Sequence, residues 1–125
     1  MEDCIFCKIV EGKIPCYKVW EDENFLAFLD INPVGVGHTL VIPKKHFSWV
    51  WDLPAGRQET PNIGEYFEKV REVALLLKER LEARWVKMSV VGIEIPHAHV
   101  HLIPQEVREK VEAKDFSGVL RKLKS

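Results

Sequence analysis

A chain of 125 residues has the size of one domain and can bury a hydrophobic core without disulfides. Its 18 basic and 19 acidic residues leave a net charge of -1, so no global attraction draws it to nucleic acid or to an anionic membrane. No apolar run is long enough to span a bilayer, and Met1-Glu2-Asp3-Cys4 lacks the basic and apolar regions of a secretion signal; the expected location is cytoplasmic, with no membrane and no nucleic-acid partner.

In chain order, residues 17–22 and 24–31 read as short strands around an acidic turn, and Asn32-Pro33-Val34-Gly35-Val36-Gly37 as a loop. β-Branched residues mark 38–43 as a third strand. A polar stretch over 52–60 leads to Pro61, which suits a first helical turn with Thr60 as its cap. Ile63, Tyr66, Phe67, Val70, Val73, Ala74, Leu77 and Leu81 recur at helical spacing and predict one long amphipathic helix ending near Arg84. Strands follow at 86–93 and 97–103, the second closed by Pro104. Beyond it, Val107, Val111, Phe116 and Leu120 can dock a C-terminal helical segment. The expected fold class is α+β, an antiparallel sheet of about five strands with one long helix. One domain is expected over 1–125, with a core at 4–104 and an extension at 105–125. Trp20, Trp49, Trp51 and Trp85 are expected in the core or at a subunit contact, and Cys16 as a thiol without a role.

The strongest chemical feature is His97-Ala98-His99-Val100-His101. On a strand, alternate residues share a face, so the three imidazoles project together while Ala98, Val100 and Leu102 face the other way. Three of the chain's five histidines on one row are poorly explained as chance surface residues. At about 3.3 Å per residue, the outer two lie about 13 Å apart at Cα, too far to share one ion comfortably. Some of the triplet is thereby left for catalysis. Cys4-x-x-Cys7 is half a zinc site, and without another cysteine pair its remaining ligands would be histidines, His46 and one member of the triplet. The competing reading is a pair of buried thiols packing as small apolar residues. From the residues alone, His38, on the face of Leu40 and Ile42, reads better as a hydrogen-bonded core residue than as a catalytic one, and Asp30 reads as a cap for the Asn32-Pro33 turn.

These residues resemble the histidine-triad (HIT) superfamily, and closely its bacterial, zinc-containing branch. The resemblance rests on Cys4-Ile-Phe-Cys-Lys-Ile-Val10, Ile14-Pro15, Phe28-Leu-Asp-Ile-Asn-Pro33, Gly37-His-Thr-Leu-Val-Ile-Pro43 with Lys44-Lys45-His46, and the triplet followed by Leu102-Ile103-Pro104. It covers residues 4–104. The resemblance implies an antiparallel sheet that pairs with a second subunit, giving a homodimer, and hydrolysis or transfer at the α-phosphorus of a nucleotide derivative. That derivative would be a nucleoside phosphoramidate or a dinucleoside polyphosphate. His99 is then the nucleophile that forms a nucleotidyl-histidine, His101 contacts phosphate or leaving group, and His38 stands beside the phosphate. Cys4, Cys7, His46 and His97 match the ligands of a structural zinc. Asp30 matches the carboxylate that takes the ribose hydroxyls, and Phe6, Ile9, Ile14, Phe28 and Ile31 match the apolar walls around the base. The chemistry suits the residue type: a neutral imidazole is nucleophilic near pH 7, because its ordinary pKa is about 6.5.

One position departs from the family. Glu94 stands where a neutral phosphate-contacting residue is expected, and a carboxylate beside a phosphate is unfavourable unless paired or protonated. Two alternatives to the hydrolase or transferase stay open at this level: a purine-nucleotide binding or regulatory module with little catalysis, and a zinc-dependent structural protein in which the triplet serves the metal.

Overall fold

The computed structural model of the protein describes residues 4–93 and 95–124, so Glu94 lies outside the described residues. Five strands form one antiparallel sheet: β1 (Lys18–Glu21), β2 (Phe25–Leu29), β3 (Thr39–Pro43), β4 (Trp85–Ser89) and β5 (Val100–Gln105), in the order β1-β2-β3-β5-β4. Three helices accompany it: α1 (Ile5–Val10), α2 (Ile63–Arg80) and α3 (Phe116–Lys124). The α+β expectation holds, including the long helix and the C-terminal helix. Helix α1 and a single 3-10 turn at Val50–Asp52 have no counterpart in the sequence-based expectation. Among the described residues, no helix is long and apolar enough to cross a membrane.

The period of two along each strand sorts side chains onto two faces. Val19, Phe25, Ala27, Leu29, Val41, Val100 and Leu102 face the larger core, against Tyr66, Val70, Val73 and Leu77 of α2 and Val119 and Leu123 of α3. Tyr66 donates its hydroxyl to the Val41 carbonyl at 2.6 Å, which satisfies a polar group inside that core. Leu26, Phe28, Leu40 and Ile42 face the other way, against Cys4 and Phe6 of the α1 segment. The histidines belong to this smaller face. Cross-strand pairing sets Phe28 beside Leu40 and Leu40 beside His101.

Strand β4 runs over Trp85–Ser89 rather than 86–93, and three further boundaries differ from expectation for local reasons. The cap of α2 is Asn62, not Thr60: Asn62 Oδ1 accepts from the Glu65 N–H at 2.9 Å and Glu65 Oε1 accepts from the Asn62 N–H at 3.1 Å. Thr60 instead donates its hydroxyl to Glu65 at 2.6 Å, and Pro61 precedes the helix. The helix ends at Arg80 rather than near Arg84, because Glu82 turns the chain with a φ of +51°. Strand β5 begins at Val100, not His97, and runs through Pro104 to Gln105. Its pairing with β3 stops at Val41↔Val100, and Ala98 donates its N–H to the Phe47 carbonyl beyond β3 at 2.6 Å. His97 and His99 therefore sit in an extended lead-in to the strand, and only His101 lies within it.

Gly37 carries the chain into β3 immediately before His38. Its φ is +78°, and a Cβ there would lie 2.4 Å from Leu81 Cδ1 and 3.2 Å from Pro104 Cγ. Gly12 has a φ of +80°, but a Cβ there would meet nothing within 4 Å. Gly12→Ala should cost about 1–2 kcal/mol, the backbone penalty alone. Gly37→Ala should cost about 2–4 kcal/mol, because overpacking adds to it. Urea unfolding of both variants checks this; equal losses would contradict it.

Candidate functional site

The α1 face holds two clusters of histidines that meet at the lead-in to β5. The first surrounds His97, which is fully buried. Its Nε2–H donates to the Pro43 carbonyl at 2.8 Å, so the lone pair lies on Nδ1. That nitrogen is 3.3 Å from Cys4 Sγ, 3.5 Å from Cys7 Sγ and 3.2 Å from His46 Nδ1. Cys7 Sγ is also 3.2 Å from His46 Nδ1. In a tetrahedron with metal bonds of about 2.0–2.3 Å, ligand atoms lie about 3.3–3.8 Å apart, so these spacings fit one ion. The Pro43 carbonyl behind His97 is the kind of outer partner that would orient this imidazole toward an ion.

Local folding pairs two of the four donors, and tertiary packing brings His46 and His97 to them. Cys4 caps α1 by accepting the Cys7 N–H on its sulfur at 3.3 Å, and the short helix turns both thiols toward the sheet. Without a cation, burial pushes the Cys7 thiol up to about 11, with the hydrogen bond and charge of Cys4 adding to the effect. Burial drives His97 down to about 4, against the hydrogen bond to Pro43. Burial therefore favours the neutral forms of Cys7 and His97, and a divalent ion would reverse this for the thiol.

The second cluster contains His99, His101 and His38. His99 Nδ1–H donates to the backbone carbonyl of His97 at 2.8 Å, which leaves its lone pair on Nε2. Phe6 stands edge-on to the His99 ring at 5.4 Å, and His101 follows at 5.1 Å. His99 is only 4% exposed, yet it lines the wall of a cavity of about 410 Å³; the flanking rings account for its low exposure. His101 Nδ1 lies 2.9 Å from His38 Nε2, and Asp30 Oδ2 lies 3.5 Å from that same nitrogen. Burial lowers the pKa of His38, opposed by the Asp30 carboxylate. His38 thus satisfies both readings open in the sequence, being hydrogen-bonded inside the fold and present on the cavity wall.

The cavity is lined mostly by apolar side chains, together with Asp30, Asn32, His38, His99 and His101. Phe6, Ile9, Ile14, Phe28, Asp30 and Ile31, the residues expected around a nucleoside, all line it. Asp30 also caps its turn, accepting the Asn32 N–H at 2.9 Å. Sequence reasoning missed Ile5, Cys16, Val34, Leu40 and Ile95 on the same wall. Leu40 was legible, since it alternates with His38; Cys16 and Ile95 carried no pattern. Among the described lining residues, none is Lys or Arg. Trp49, Trp51 and Trp85 are 44%, 70% and 48% exposed, so they are not core residues.

Comparison with known proteins agrees with this geometry. The sequence matches the HIT domain family over residues 11–108. A HIT-like protein of Methanocaldococcus jannaschii, itself uncharacterised, is 41% identical over 131 aligned positions, 97% of this chain and 98% of its own. An adenosine 5'-monophosphoramidase of Schizosaccharomyces pombe is 36% identical, over 85% of this chain and 77% of that one. A crystal structure of a zinc-bound histidine triad family protein from Mycobacterium smegmatis superposes with a TM-score of 0.73 at 29% identity, covering 98% of this chain and 94% of that one.

The buried His97 sets a pH dependence in metal-depleted protein. Its folded pKa of about 4 lies below the ordinary value of about 6.5, so the unfolded chain binds the extra proton between them. The stability it contributes is complete above about pH 6.5 and is lost as pH falls toward about 4. Urea midpoints of the metal-free protein should fall across that window, and His97→Gln should flatten the slope. Identical slopes in the two proteins would contradict the assignment.

Proposed function

The chain belongs to the HIT domain family, and on that premise we propose that it hydrolyses a nucleoside 5'-monophosphate derivative at the α-phosphorus through a nucleotide bonded to His99. One observation carries this reading: the His97 carbonyl takes the Nδ1–H of His99, a residue that lines the cavity, so the lone pair is left on Nε2. In the first step, Nε2 forms a bond to phosphorus as the bond to the leaving group breaks. In the second, water attacks phosphorus and the bond to His99 breaks, releasing the nucleoside monophosphate. Covalent catalysis of this kind replaces one hard displacement by two easier ones.

The other residues take supporting roles in this reading. Phe6, Ile9, Ile14, Phe28 and Ile31 enclose the base, and Asp30 accepts the ribose hydroxyls. His101, backed by His38, donates a hydrogen bond to the phosphoryl group or the leaving atom. With no Lys or Arg among the described lining residues, the cavity suits one phosphate better than a polyphosphate chain. A nucleoside phosphoramidate is therefore favoured over a dinucleoside polyphosphate, in keeping with the activity for which the fission-yeast relative is named. Zinc held by Cys4, Cys7, His46 and His97 would supply a structural tie between α1, the end of β3 and the lead-in to β5.

The reading also includes a homodimer. Strand β4 is a sheet edge with Trp85 48% and Met88 51% exposed, a surface that a second copy would cover by extending the sheet.

Three measurements test these statements. His99→Ala should lower turnover of adenosine 5'-phosphoramidate by about 10³-fold or more; undiminished turnover would refute the nucleophile, and tight nucleotide binding by a wild type with no turnover would favour a binding module. Metal analysis should find about one zinc per chain, lost in Cys7→Ser together with a lowered melting temperature; zinc unchanged in that variant would overturn the ligand set. Light scattering should give a dimer that Met88→Lys weakens, and a monomeric wild type would remove that part of the proposal.

A further inference from the structure

We propose that the backbone N–H of Val34 is a positioning group for the histidine pair, donating to His38 and thereby fixing which nitrogen of His38 and of His101 carries a hydrogen. The Val34 N–H donates to His38 Nδ1 at 3.2 Å. An imidazole nitrogen that faces an amide N–H must present its lone pair, so neutral His38 carries its hydrogen on Nε2. Nε2 lies 2.9 Å from His101 Nδ1, which accepts, and neutral His101 carries its own hydrogen on Nε2.

The reverse order is disfavoured at one identifiable place. If His101 Nδ1–H donated to His38, the His38 hydrogen would move to Nδ1 and two N–H groups would face each other across the Val34 contact. The Asp30 carboxylate, 3.5 Å from His38 Nε2, biases the pair in the same direction by favouring a hydrogen on that nitrogen. The loop that carries Val34 is tied at both ends. Asp30 accepts the Asn32 N–H at 2.9 Å, and the Asp30 N–H donates to the His38 carbonyl at 2.9 Å.

The same amide separates the two histidine clusters chemically. Asp30, His38 and His101 bring ligand atoms within 4.8 Å of one another, as do Cys4, Cys7, His46 and His97. At His97 a carbonyl takes the ring N–H and leaves the lone pair for an ion. At His38 an amide takes the opposite nitrogen, and a metal on Nε2 would force a hydrogen onto Nδ1, against that amide. One backbone group thus prepares the first cluster for a metal, and another keeps the second cluster for hydrogen bonding to substrate.

The tautomers stand independently of the proposed hydrolysis; only the kinetic consequence rests on it. Long-range proton–nitrogen correlation on zinc-loaded, ¹⁵N-labelled protein at neutral to mildly basic pH should show His38 and His101 both with hydrogen on Nε2, unchanged by excess zinc. A hydrogen on Nδ1 of His38, or zinc displacing these signals, would overturn the inference. Val34→Pro removes the donor, and Val34→Ala keeps it while shortening the same side chain. With an amine leaving group, kcat of the proline variant should fall about tenfold or more below that of the alanine variant, with KM moving less. Equal kcat values would overturn the positioning role. If the proline variant does not fold, the tautomer measurement on wild type still decides. If wild type turned over no nucleotide derivative, the proposed activity would fail while that measurement remained decisive here.

Discussion

The hydrogen bond from His97 Nε2–H to the Pro43 carbonyl fixes the residue at which the two histidine clusters meet. His97 is fully buried, so its polar atoms need partners inside the protein, and a ring deprived of one would be expensive to keep there. Given that bond, the other ring nitrogen faces two sulfurs and a second imidazole. The carbonyl of the same residue takes the Nδ1–H of His99. One residue therefore joins the cysteine–histidine cluster with its side chain and holds the proposed nucleophile with its backbone. The two clusters are thereby joined through the side chain and the carbonyl of one residue.

The sheet makes this economy possible because its two faces carry different burdens. The face under α2 and α3 buries the larger core, including Val41, Val100 and Leu102, and anchors the strands. The face under α1 is a smaller cluster, with Phe6, Leu26, Phe28 and Leu40, beside which the cavity opens. Strand alternation lets Val100 and Leu102 hold β5 in the core while His101 faces the cavity. The irregular stretch before β5 is equally constrained, since Ala98 is buried and hydrogen-bonded to Phe47. Local departure from the strand ladder is thus compatible with fixed positions for His97 and His99.

Much of this was legible because it depends on side-chain type and period. Short apolar and β-branched runs between turn residues marked the strands, the 3.6-residue repeat from Ile63 to Leu77 marked α2, and the histidine and cysteine spacings pointed to the two clusters. What was not legible depends on tertiary context or on backbone atoms. Helix α1 spans six residues, too few to display a helical period. Thr60 and Asn62 are both good caps, and only the reach of Glu65 decides between them. The triplet looks like one strand because its alternation is perfect, yet the ladder ends at Val100. The carbonyls of Pro43 and His97 and the amide of Val34 have no residue signature at all, although they set the tautomers of three histidines.

The central claim is that His99 Nε2 forms the bond to phosphorus. Rapid quenching of the wild-type protein with a nucleoside phosphoramidate, followed by mass spectrometry and phosphorus NMR of the intact adduct, tests it most directly. The expected species is a nucleoside monophosphate joined through phosphorus to Nε2 of His99, formed and consumed at rates compatible with turnover. An adduct on His101 or His38, or turnover without any covalent adduct under conditions that preserve phosphohistidine, would contradict it.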